Sequence, residues 1–533
     1  MKSSRSSSVE RLQQALEHHQ AGRLEQAERL YRDILAREPG NPDALHLLGV
    51  IAHQLGQHEH AVELINRAIR AQPTTPAYYN NLGEALTALT RLDQAIAAYQ
   101  QAANLAPDYA ETHNNLGIAL QMAKREEKAI AAFRRAIQAK PDFGEAHYNL
   151  GNALLDTGRP EEAARAYRAA LRLLPEYAQA YNNLGIALVA QLRVDEAIQA
   201  FDQAIERTPD FAEAHANKGM ALLLNGQFAK GWPEHSWRFG CAEQQERSAQ
   251  SRFSEPEWDG SDFAGKTLLV HAEQGFGDTI QFVRYLPMVK AKGGRVLLAC
   301  QPELHRLFAN LAGADALLAD ARDLAVDVGF DAHASLLELP RLFGTELKSI
   351  PQQVPYLSVD ADRVAAWRSR VDSERFSVGL CWAGRPTHPN DRNRSMTLAA
   401  FAPLAGVPGI VFYSLQKGAA AEQLRQPPVG MELIDCSGDL HDFIDTGALV
   451  MNLDLVISVD TAPVHVAGAL GREVWTLLPF APDWRWLRDR KDSPWYPTMR
   501  LFRQPRLSDW EAVMEQVALA LQALVRERSD TRR

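Results

Sequence analysis

A glycine-rich loop that ends in an aspartate is the first place where this sequence could do chemistry. The segment 273–279 follows a short apolar run and opens a helical pattern. Gly275 and Gly277 let a ligand approach the backbone, and Asp278 places a carboxylate at the helix start. The alternative is that Asp278 only caps the helix. The spacing matches neither a dinucleotide-binding fingerprint nor a P-loop.

A second polar loop, residues 383–395, is rich in arginine. It follows another apolar run and contains Arg385, Arg392 and Arg394, while Lys417 follows the next run. Guanidinium groups bind phosphate oxygens in pairs, so the composition favours an anion such as a diphosphate. The alternative is an ordinary solvated loop.

A third loop combines an aspartate with a helix start. Asp460 ends an apolar run, Thr461 is expected to cap the next helix, and Pro463 suits its first turn. The helix amides and dipole there would hold phosphate. On its own, His465 is more typical of a residue that faces the core, and its place in this loop makes it a ligand candidate.

The elements that must position these loops are strands alternating with helices. This alternation predicts parallel sheets covered by helices, in two blocks at 263–357 and 376–508. A connecting helix is expected within 358–375, and a helix and tail at 509–533. Ligands of doubly wound sheets bind at the carboxyl ends of the strands, where all three loops lie.

Gly277-Asp278, together with the segment 460–471, resembles the heptosyltransferase-type glycosyltransferases of family nine. The resemblance covers about residues 266–505 and implies the GT-B fold, two doubly wound Rossmann-like halves facing a cleft. It also implies an inverting reaction that uses a nucleotide-diphosphate sugar without a metal. The segment 478–487 departs from the family's Phe-Gly-Pro turn, so the resemblance does not imply heptose.

The resemblance gives some residues a role. It implies Asp278 as the catalytic base and Arg394 as a phosphate ligand. The other candidates for binding the donor come from the same resemblance and from the loops themselves: Gly275, Gly277, Arg385, Lys417, Asp460, Thr461, Ala462 and His465.

The first half of the chain repeats every 34 residues. The period is carried by a proline, a glycine and an alanine: Pro39, Pro73, Pro107, Pro141, Pro175 and Pro209; Gly49, Gly83, Gly117, Gly151, Gly185 and Gly219; Ala27, Ala61, Ala95, Ala129, Ala163 and Ala197. Such a period predicts stacked helical hairpins, and the residue pattern resembles the tetratricopeptide repeat. We expect an α-helical superhelix over 9–240, with six full units and a degenerate seventh that begins at Ala212.

An asparagine recurs on the same period: Asn81, Asn115, Asn149, Asn183 and Asn217. An asparagine can both donate to and accept from a peptide backbone, so the ladder predicts an acceptor polypeptide in the groove. The alternative is local hydrogen bonding among the helices. The ladder resembles that of the O-linked N-acetylglucosamine transferases, and this resemblance is limited to the repeats.

Composition bounds the remaining classes. The net charge is −9 and neither half of the chain reads as a basic stripe, which argues against a general nucleic-acid binder. The sequence contains no run of 18 apolar residues, so we expect no membrane span. Four scattered cysteines and a start without a signal peptide favour the cytoplasm. We expect residues 1–8 to be disordered and 241–262 to be a linker. The segment from Trp232 to Glu257, with Trp237, Phe253 and Trp258, is expected to pack the array onto the second half. No metal-ligand spacing occurs, so we expect neither a metal nor a cofactor besides the sugar nucleotide.

These expectations favour an enzyme, a glycosyltransferase that moves a sugar to a polypeptide or glycan held by the repeats. Two other functions stay open. One is a non-catalytic scaffold with a degenerate nucleotide-sugar-binding domain. The other is a nucleotide-sugar epimerase or hydrolase.

Overall fold

The computed structural model describes residues 2–241, 253–320 and 329–531. The chain forms two compact units, Met1–Leu188 and Val189–Arg533. The first unit holds most of the repeated helices. The second unit holds the last repeated helices together with two parallel sheets.

Residues 2–241 form fourteen α-helices, two for each of the seven expected units. Their bounds are α1 Lys2–Gln20, α2 Leu24–Arg37, α3 Pro42–Gln54, α4 His58–Ala71, α5 Pro76–Ala88, α6 Leu92–Leu105, α7 Ala110–Met122, α8 Glu126–Ala139, α9 Gly144–Asp156, α10 Pro160–Leu173, α11 Ala178–Val189, α12 Val194–Arg207, α13 Ala212–Leu224 and α14 Phe228–His235. Each periodic proline follows two residues after a helix ends, as at Arg37 and Pro39, because proline cannot continue the hydrogen-bonding pattern.

The start of the chain differs from the expectation. Helix α1 begins at Lys2 and so includes most of the segment that we expected to be disordered. Extending a helix that has already nucleated costs little per residue, even where the sequence is serine-rich.

The periodic glycines lie where two helices of one hairpin approach most closely. A Cβ atom added at Gly83 would lie 2.5 Å from the ring of Tyr99, and one at Gly117 would lie 2.5 Å from the ring of Phe133. Both rings are fully buried. The glycine and the aromatic residue sixteen positions later therefore form one packing unit, and that unit explains why both recur.

The second unit contains two sheets whose strands all pair in parallel. The first has the strand order β3-β2-β1-β4 and the second β10-β9-β8-β5-β6-β7. Their strands are β1 Thr267–His271, β2 Arg295–Ala299, β3 Ala316–Leu318, β4 Ala332–Ser335, β5 Phe376–Cys381, β6 Ile410–Ser414, β7 Leu433–Ile434, β8 Leu455–Val459, β9 Val474–Leu478 and β10 Met499–Arg503.

Both sheets are doubly wound, because the strand order reverses direction next to the first strand of each. In the first sheet the reversal lies between β1 and β4, and in the second between β5 and β8. Loops that leave neighbouring strands in opposite directions open a crevice at that point. The loops after β1, β5 and β8 are the three that the sequence singled out. Strands β3, β4 and β10 were not anticipated, since they are short or carry polar residues.

Helices connect the strands. Their bounds are α15 Phe276–Phe282, α16 Leu286–Lys290, α17 Pro302–His305, α18 Leu339–Leu342, α19 Ala361–Arg368, α20 Asp391–Arg394, α21 Phe443–Val450, α22 Ala462–Ala469 and α23 Trp510–Thr531. The long C-terminal helix α23 contributes Val513, Met514, Val517 and Leu521 to the core of the second sheet. Within the described ranges, no helix has the length and apolar character needed to cross a membrane.

Candidate functional site

Asp278 lies at the start of α15, directly after the loop that leaves β1. The backbone N–H of Gly275 donates a hydrogen bond to Asp278 Oδ2 at 2.9 Å. A carboxylate in the first turn also complements the positive end of the helix dipole. The capping contact that we considered as an alternative is therefore present, and it occupies one of the two carboxylate oxygens.

The other oxygen of Asp278 is bound by an arginine from the second sheet. Arg485 lies in the one-turn 3-10 helix Trp484–Trp486, which follows β9. Its Nη2 donates to Asp278 Oδ1, its Nε donates to Gln281 Oε1 at 2.9 Å, and its Nη1 donates to Asp483 Oδ1 at 2.8 Å. This buried guanidinium therefore joins α15 of the first sheet to a turn of the second.

The electrostatics of Asp278 are a balance of opposing effects. Burial raises the pKa of its carboxyl above the ordinary value, and Asp483 and Glu273 act in the same direction. Arg485 and the Gly275 N–H oppose them. Asp278 is thus a desolvated carboxylate whose charge depends on one arginine.

Asp460 lies next to this pair, at the end of β8. Its Oδ2 accepts a hydrogen bond from Trp486 Nε1 at 2.8 Å, and its backbone oxygen accepts one from Arg394 Nη1 at 3.1 Å. Burial raises the pKa of the Asp460 carboxyl to about 6, and Asp483 adds to the rise, while Trp486, Arg394 and Arg485 oppose it.

Helix α22 begins beside Asp460. Thr461 occupies the N-cap position and Pro463 lies in the first turn, as expected. The Thr461 hydroxyl makes no capping hydrogen bond, however, although the backbone there is extended as is usual for an N-cap residue. Thr461 and Ala462 are half-buried, so this helix end is partly open to solvent.

His465 faces the interior of the second unit. Its Nδ1 lies 2.9 Å from the hydroxyl of Tyr496, and burial keeps the pKa of its ring well below the usual range. A Cβ atom added at Gly277 would lie 2.7 Å from His465 Cδ2. Gly277 is therefore needed for α15 to approach α22, and His465 contributes to that contact as a neutral ring.

The arginine loop brings one guanidinium into the site. Arg394 lies against the Asp460 backbone, and Gly384 makes room for it, since a Cβ there would lie 2.5 Å from Arg394 Nη2. Arg385 and Arg392 are exposed, and their part in binding an anion stays a prediction. The short helix α20 ends at Arg394, whose Nε lies 3.5 Å from Asp391 Oδ1 at the start of the same helix.

Lys417 lies in the loop after β6. Its Nζ donates to the backbone oxygen of Ser437 at 2.6 Å, and the side chain is exposed. Gln416 next to it has the more structural role, because its Oε1 accepts from the backbone amides of Trp382 and Ala383 at 3.0 and 2.9 Å. Gln416 thereby fixes the start of the arginine loop, a role that the sequence did not reveal.

The last repeat is built into the site region. Arg238, in the 3-10 segment Ser236–Gly240 after α14, donates Nε and Nη2 to the two carboxylate oxygens of Glu273, each at 2.8 Å. Its Nη1 donates to Glu338 Oε1 at 2.6 Å. Burial opposes the charge of Glu273, but the Arg238 pair lowers the pKa of Glu273 to about 2. Glu273 stands in the loop that leads to Asp278, so the repeat holds that loop.

An aromatic cluster makes a second connection. The ring centroid of Trp484 lies 5.3 Å from that of Trp232 and 6.4 Å from that of Phe282. The guanidinium of Arg485 lies 4.6 Å from the Trp484 ring. Trp232 therefore packs the last repeat, which belongs to the second unit, onto this half. Trp237 does not, because it is 40% exposed and stacks on His215.

The asparagine ladder makes hydrogen bonds between successive repeats of the first unit. Asn115 Nδ2 donates to Glu84 Oε1 at 3.0 Å, and Asn149 Nδ2 donates to Asn114 Oδ1 at 3.0 Å. Asn81 and Asn183 also contact the preceding repeat, and Asn217 holds the same position in α13. The local alternative is therefore at least part of their role, while acceptor binding stays a prediction.

The sequence missed Arg485, Trp486, Asp483 and Gln281 as members of the site. The available signal was a charged residue between two tryptophans in a turn, Trp484-Arg485-Trp486, at the point where the chain departs from the resembled family. The partners of this arginine come from α15, more than 200 positions away.

The family models that match this chain lie within residues 18–231. Three family models, each described as tetratricopeptide repeat, match residues 18–85, 74–142, and both 148–210 and 183–231. A curated relative, Protein FlbA of Caulobacter vibrioides, is 30% identical over 327 residues, which is 56% of this chain and 53% of FlbA. The chain thus spans about half the length of the curated relative that it matches.

Solved structures also resemble part of this chain. MamA is 27% identical, covers 31% of this chain and 96% of its own, and has a TM-score of 0.29. PilW, described as a type IV pilus biogenesis factor, is 22% identical with coverages of 39% and 96% and a TM-score of 0.37. YrrB, described as a TPR protein with an unusual peptide-binding site, is 21% identical with coverages of 36% and 98% and a TM-score of 0.32. On the family models, the helical hairpins between residues 18 and 231 are tetratricopeptide repeats.

Proposed function

We propose that the second unit is a glycosyltransferase of the GT-B type, which moves a sugar from a nucleotide-diphosphate donor to an acceptor held by the repeats. One observation carries the proposal. A desolvated carboxylate at the carboxyl edge of one doubly wound sheet, Asp278, faces Arg485 and Asp460 at the carboxyl edge of another. This is where ligands of such sheets bind.

The groups that surround this point suit a diphosphate. The half-buried start of α22 offers its first-turn amides and helix dipole, and Arg394 supplies a guanidinium beside it. Arg385 lies in the same loop as Arg394, and Lys417 lies in the loop after β6. Both side chains are exposed and would contact the donor from the solvent side. Gly275 leaves the backbone before α15 accessible, since a Cβ there would meet nothing closer than 3.4 Å.

The reaction would be a single displacement. The acceptor hydroxyl oxygen attacks the anomeric carbon while the bond from that carbon to the diphosphate oxygen breaks, and the electron pair of that bond leaves with the diphosphate. Asp278 takes the proton of the acceptor hydroxyl, a contribution of about 10²–10⁴ in rate. Guanidinium groups and helix amides stabilise the charge that develops on the leaving diphosphate. The configuration of the anomeric carbon is inverted.

The repeats would hold the acceptor. The contacts of the last repeat with Glu273 and Trp484 support this, because they join that repeat to the loop before α15 and to the turn of Arg485. An asparagine side chain carries both a carbonyl oxygen and an N–H donor, which suit a peptide backbone. The cytoplasm is the proposed location.

A scaffold that binds sugar nucleotides without turnover is the second candidate function. The observation in its favour is that both oxygens of Asp278 already accept hydrogen bonds, from Gly275 and Arg485. A carboxylate held in this way is a weak base unless the pair opens.

The test is a thermal-shift screen of the full chain against nucleotide-diphosphate sugars, followed by a transfer assay on peptides and glycans. A ligand that binds only the folded state raises the melting temperature. Asp278→Asn should keep the shift and lose transfer. If no donor shifts the melting temperature, the proposal of a glycosyltransferase is wrong. If a donor shifts it but no transfer occurs, the non-catalytic scaffold is the function that remains. Donor turnover without an acceptor would indicate an epimerase or hydrolase.

A further inference from the structure

We infer that Arg485 and Asp278 form a latch, in which an anionic diphosphate takes the guanidinium and thereby frees Asp278 to act as a base. The inference rests on the proposed function and adds a mode of regulation to the same site. It follows from a conflict: the residue best placed to accept a proton is bound by a buried arginine.

The contacts of Arg485 are unequal. Asp483 anchors it within its own turn, because one oxygen of Asp483 accepts from both the backbone N–H and the Nη1 of Arg485, at 3.0 and 2.8 Å. Trp484 lies against the guanidinium from the same turn. Asp278 is held by a single nitrogen, Nη2, and is the charged partner that the other sheet contributes, while the neutral Gln281 of the same helix accepts from Nε. The contact to Asp278 is therefore the one that can be exchanged while Arg485 stays in place.

A diphosphate is the ligand suited to make this exchange. A guanidinium binds two phosphate oxygens with parallel hydrogen bonds and meets more negative charge there than on one carboxylate. Arg485 and Arg394 both lie close enough to Asp460 to affect its carboxyl. An anion at the start of α22, beside Asp460, would thus be shared between Arg394 and Arg485.

Opening the latch changes the basicity of Asp278. The charged groups that face it are Arg485 and Asp483 from the turn and Glu273 from the loop before α15. Without Arg485, the two carboxylates and burial all raise the pKa of Asp278, since each disfavours a second negative charge. Asp278 would become a stronger base only when the donor is bound.

The experiment is isothermal titration calorimetry of the full chain with UDP, GDP, ADP and CDP as probes, in two buffers of different ionisation enthalpy. Asp278→Asn should bind the preferred diphosphate roughly tenfold tighter, within the usual 5–150-fold range of coupling between sites, because no carboxylate competes for Arg485. The wild type should take up protons on binding, more at pH 6 than at pH 8, and Asp278→Asn should show less uptake.

Arg485→Met separates the latch from simple charge repulsion. In that background, Asp278→Asn should no longer tighten binding. If the gain persists there, repulsion explains it and the latch is wrong; equal affinity of the wild type and Asp278→Asn also overturns it. Should Arg485→Met fail to fold, Arg485→Lys serves instead, since it keeps the charge and loses the planar fork. In the Arg485→Lys background, Asp278→Asn should tighten diphosphate binding by less than it does in the wild type, but still measurably. If no diphosphate binds the wild type, the proposed function fails together with the latch.

Discussion

Arg238, which follows the last helix of the repeat array, forms a two-pronged ion pair with Glu273, which precedes the helix of Asp278. Both nitrogen–oxygen distances are 2.8 Å, and both side chains are nearly inaccessible to solvent. Ser335 Oγ also donates to Glu273 at 2.6 Å. The array therefore ends inside the second unit, where it fixes the loop that carries the candidate base.

The first prediction concerns this pair. Arg238→Met should lower the free energy of unfolding of the second unit by about 3–5 kcal/mol, because it leaves Glu273 buried without the two-pronged ion pair, whereas Glu338 keeps its pair with Arg341. Differential scanning calorimetry of the full chain measures it. Arg506→Met is the matched control, since Arg506 is 83% exposed and pairs with Asp509 at the surface; it should change stability by less than about 1 kcal/mol. Equal effects of the two variants would contradict the prediction.

The second prediction concerns the periodic glycines. Gly83→Ala should destabilise the first unit by about 1–3 kcal/mol, because the new methyl group would overlap the buried ring of Tyr99. This cost exceeds the gain of about 1 kcal/mol that alanine brings to a helix interior. Gly40→Ala is the control, because a Cβ there meets no atom within 4 Å. Chemical denaturation followed by circular dichroism compares the two, and a neutral Gly83→Ala would show that the hairpin tolerates a wider spacing.

The third prediction concerns acid. His271 lies at the end of β1 near His333, and burial together with that neighbour lowers the pKa of His271 to about 4. Glu273 and Asp320 oppose the shift without reversing it. The unfolded state, with an ordinary pKa of 6.5, then binds more protons between these values, so stability is full above pH 6.5 and falls as the pH drops toward 4.

His271→Leu should therefore lose less stability than the wild type between pH 6.5 and pH 5, by about 2 kcal/mol. Melting temperatures across this range measure the difference. His60→Leu is the control, since His60 is 48% exposed, and its profile should follow the wild type. Parallel profiles for all three proteins would rule out His271 as a source of acid sensitivity.

The fourth prediction concerns the asparagine ladder. Asn149→Ala should lower the stability of the first unit by about 1–3 kcal/mol, because Asn114, its partner in the preceding repeat, is buried and would be left without this bond. Gln121→Ala removes an exposed inter-repeat bond to Asp156 and should cost less than about 0.5 kcal/mol. An unchanged melting temperature for Asn149→Ala would leave peptide binding as the main role of the ladder.

Local rules that act within one hairpin or one strand could be predicted from the sequence. A period of 34 residues determined seven helical hairpins. Each hairpin needs a small residue where its two helices approach closely, as at Gly83, and a residue that ends the second helix, as at Pro73. The apolar runs that became β1, β5, β8 and β9 were also visible, since a parallel strand buried on both faces reads as a continuous apolar segment. The loops after three of these strands followed directly.

The tertiary structure alone decided which charges meet. The sequence around Asp278 does not predict its contact with Arg485, and the sequence around Arg238 does not predict its contact with Glu273. A buried ion pair depends on two surfaces that come together only when distant segments pack. The same holds for Arg385 and Arg392, which a shared loop with Arg394 did not bring inward. Sequence periodicity is a property of one element, whereas desolvation and pairing belong to the contact between elements. For that reason the chain's own pattern determined the repeats and the sheets, and packing determined the chemistry available at their edge.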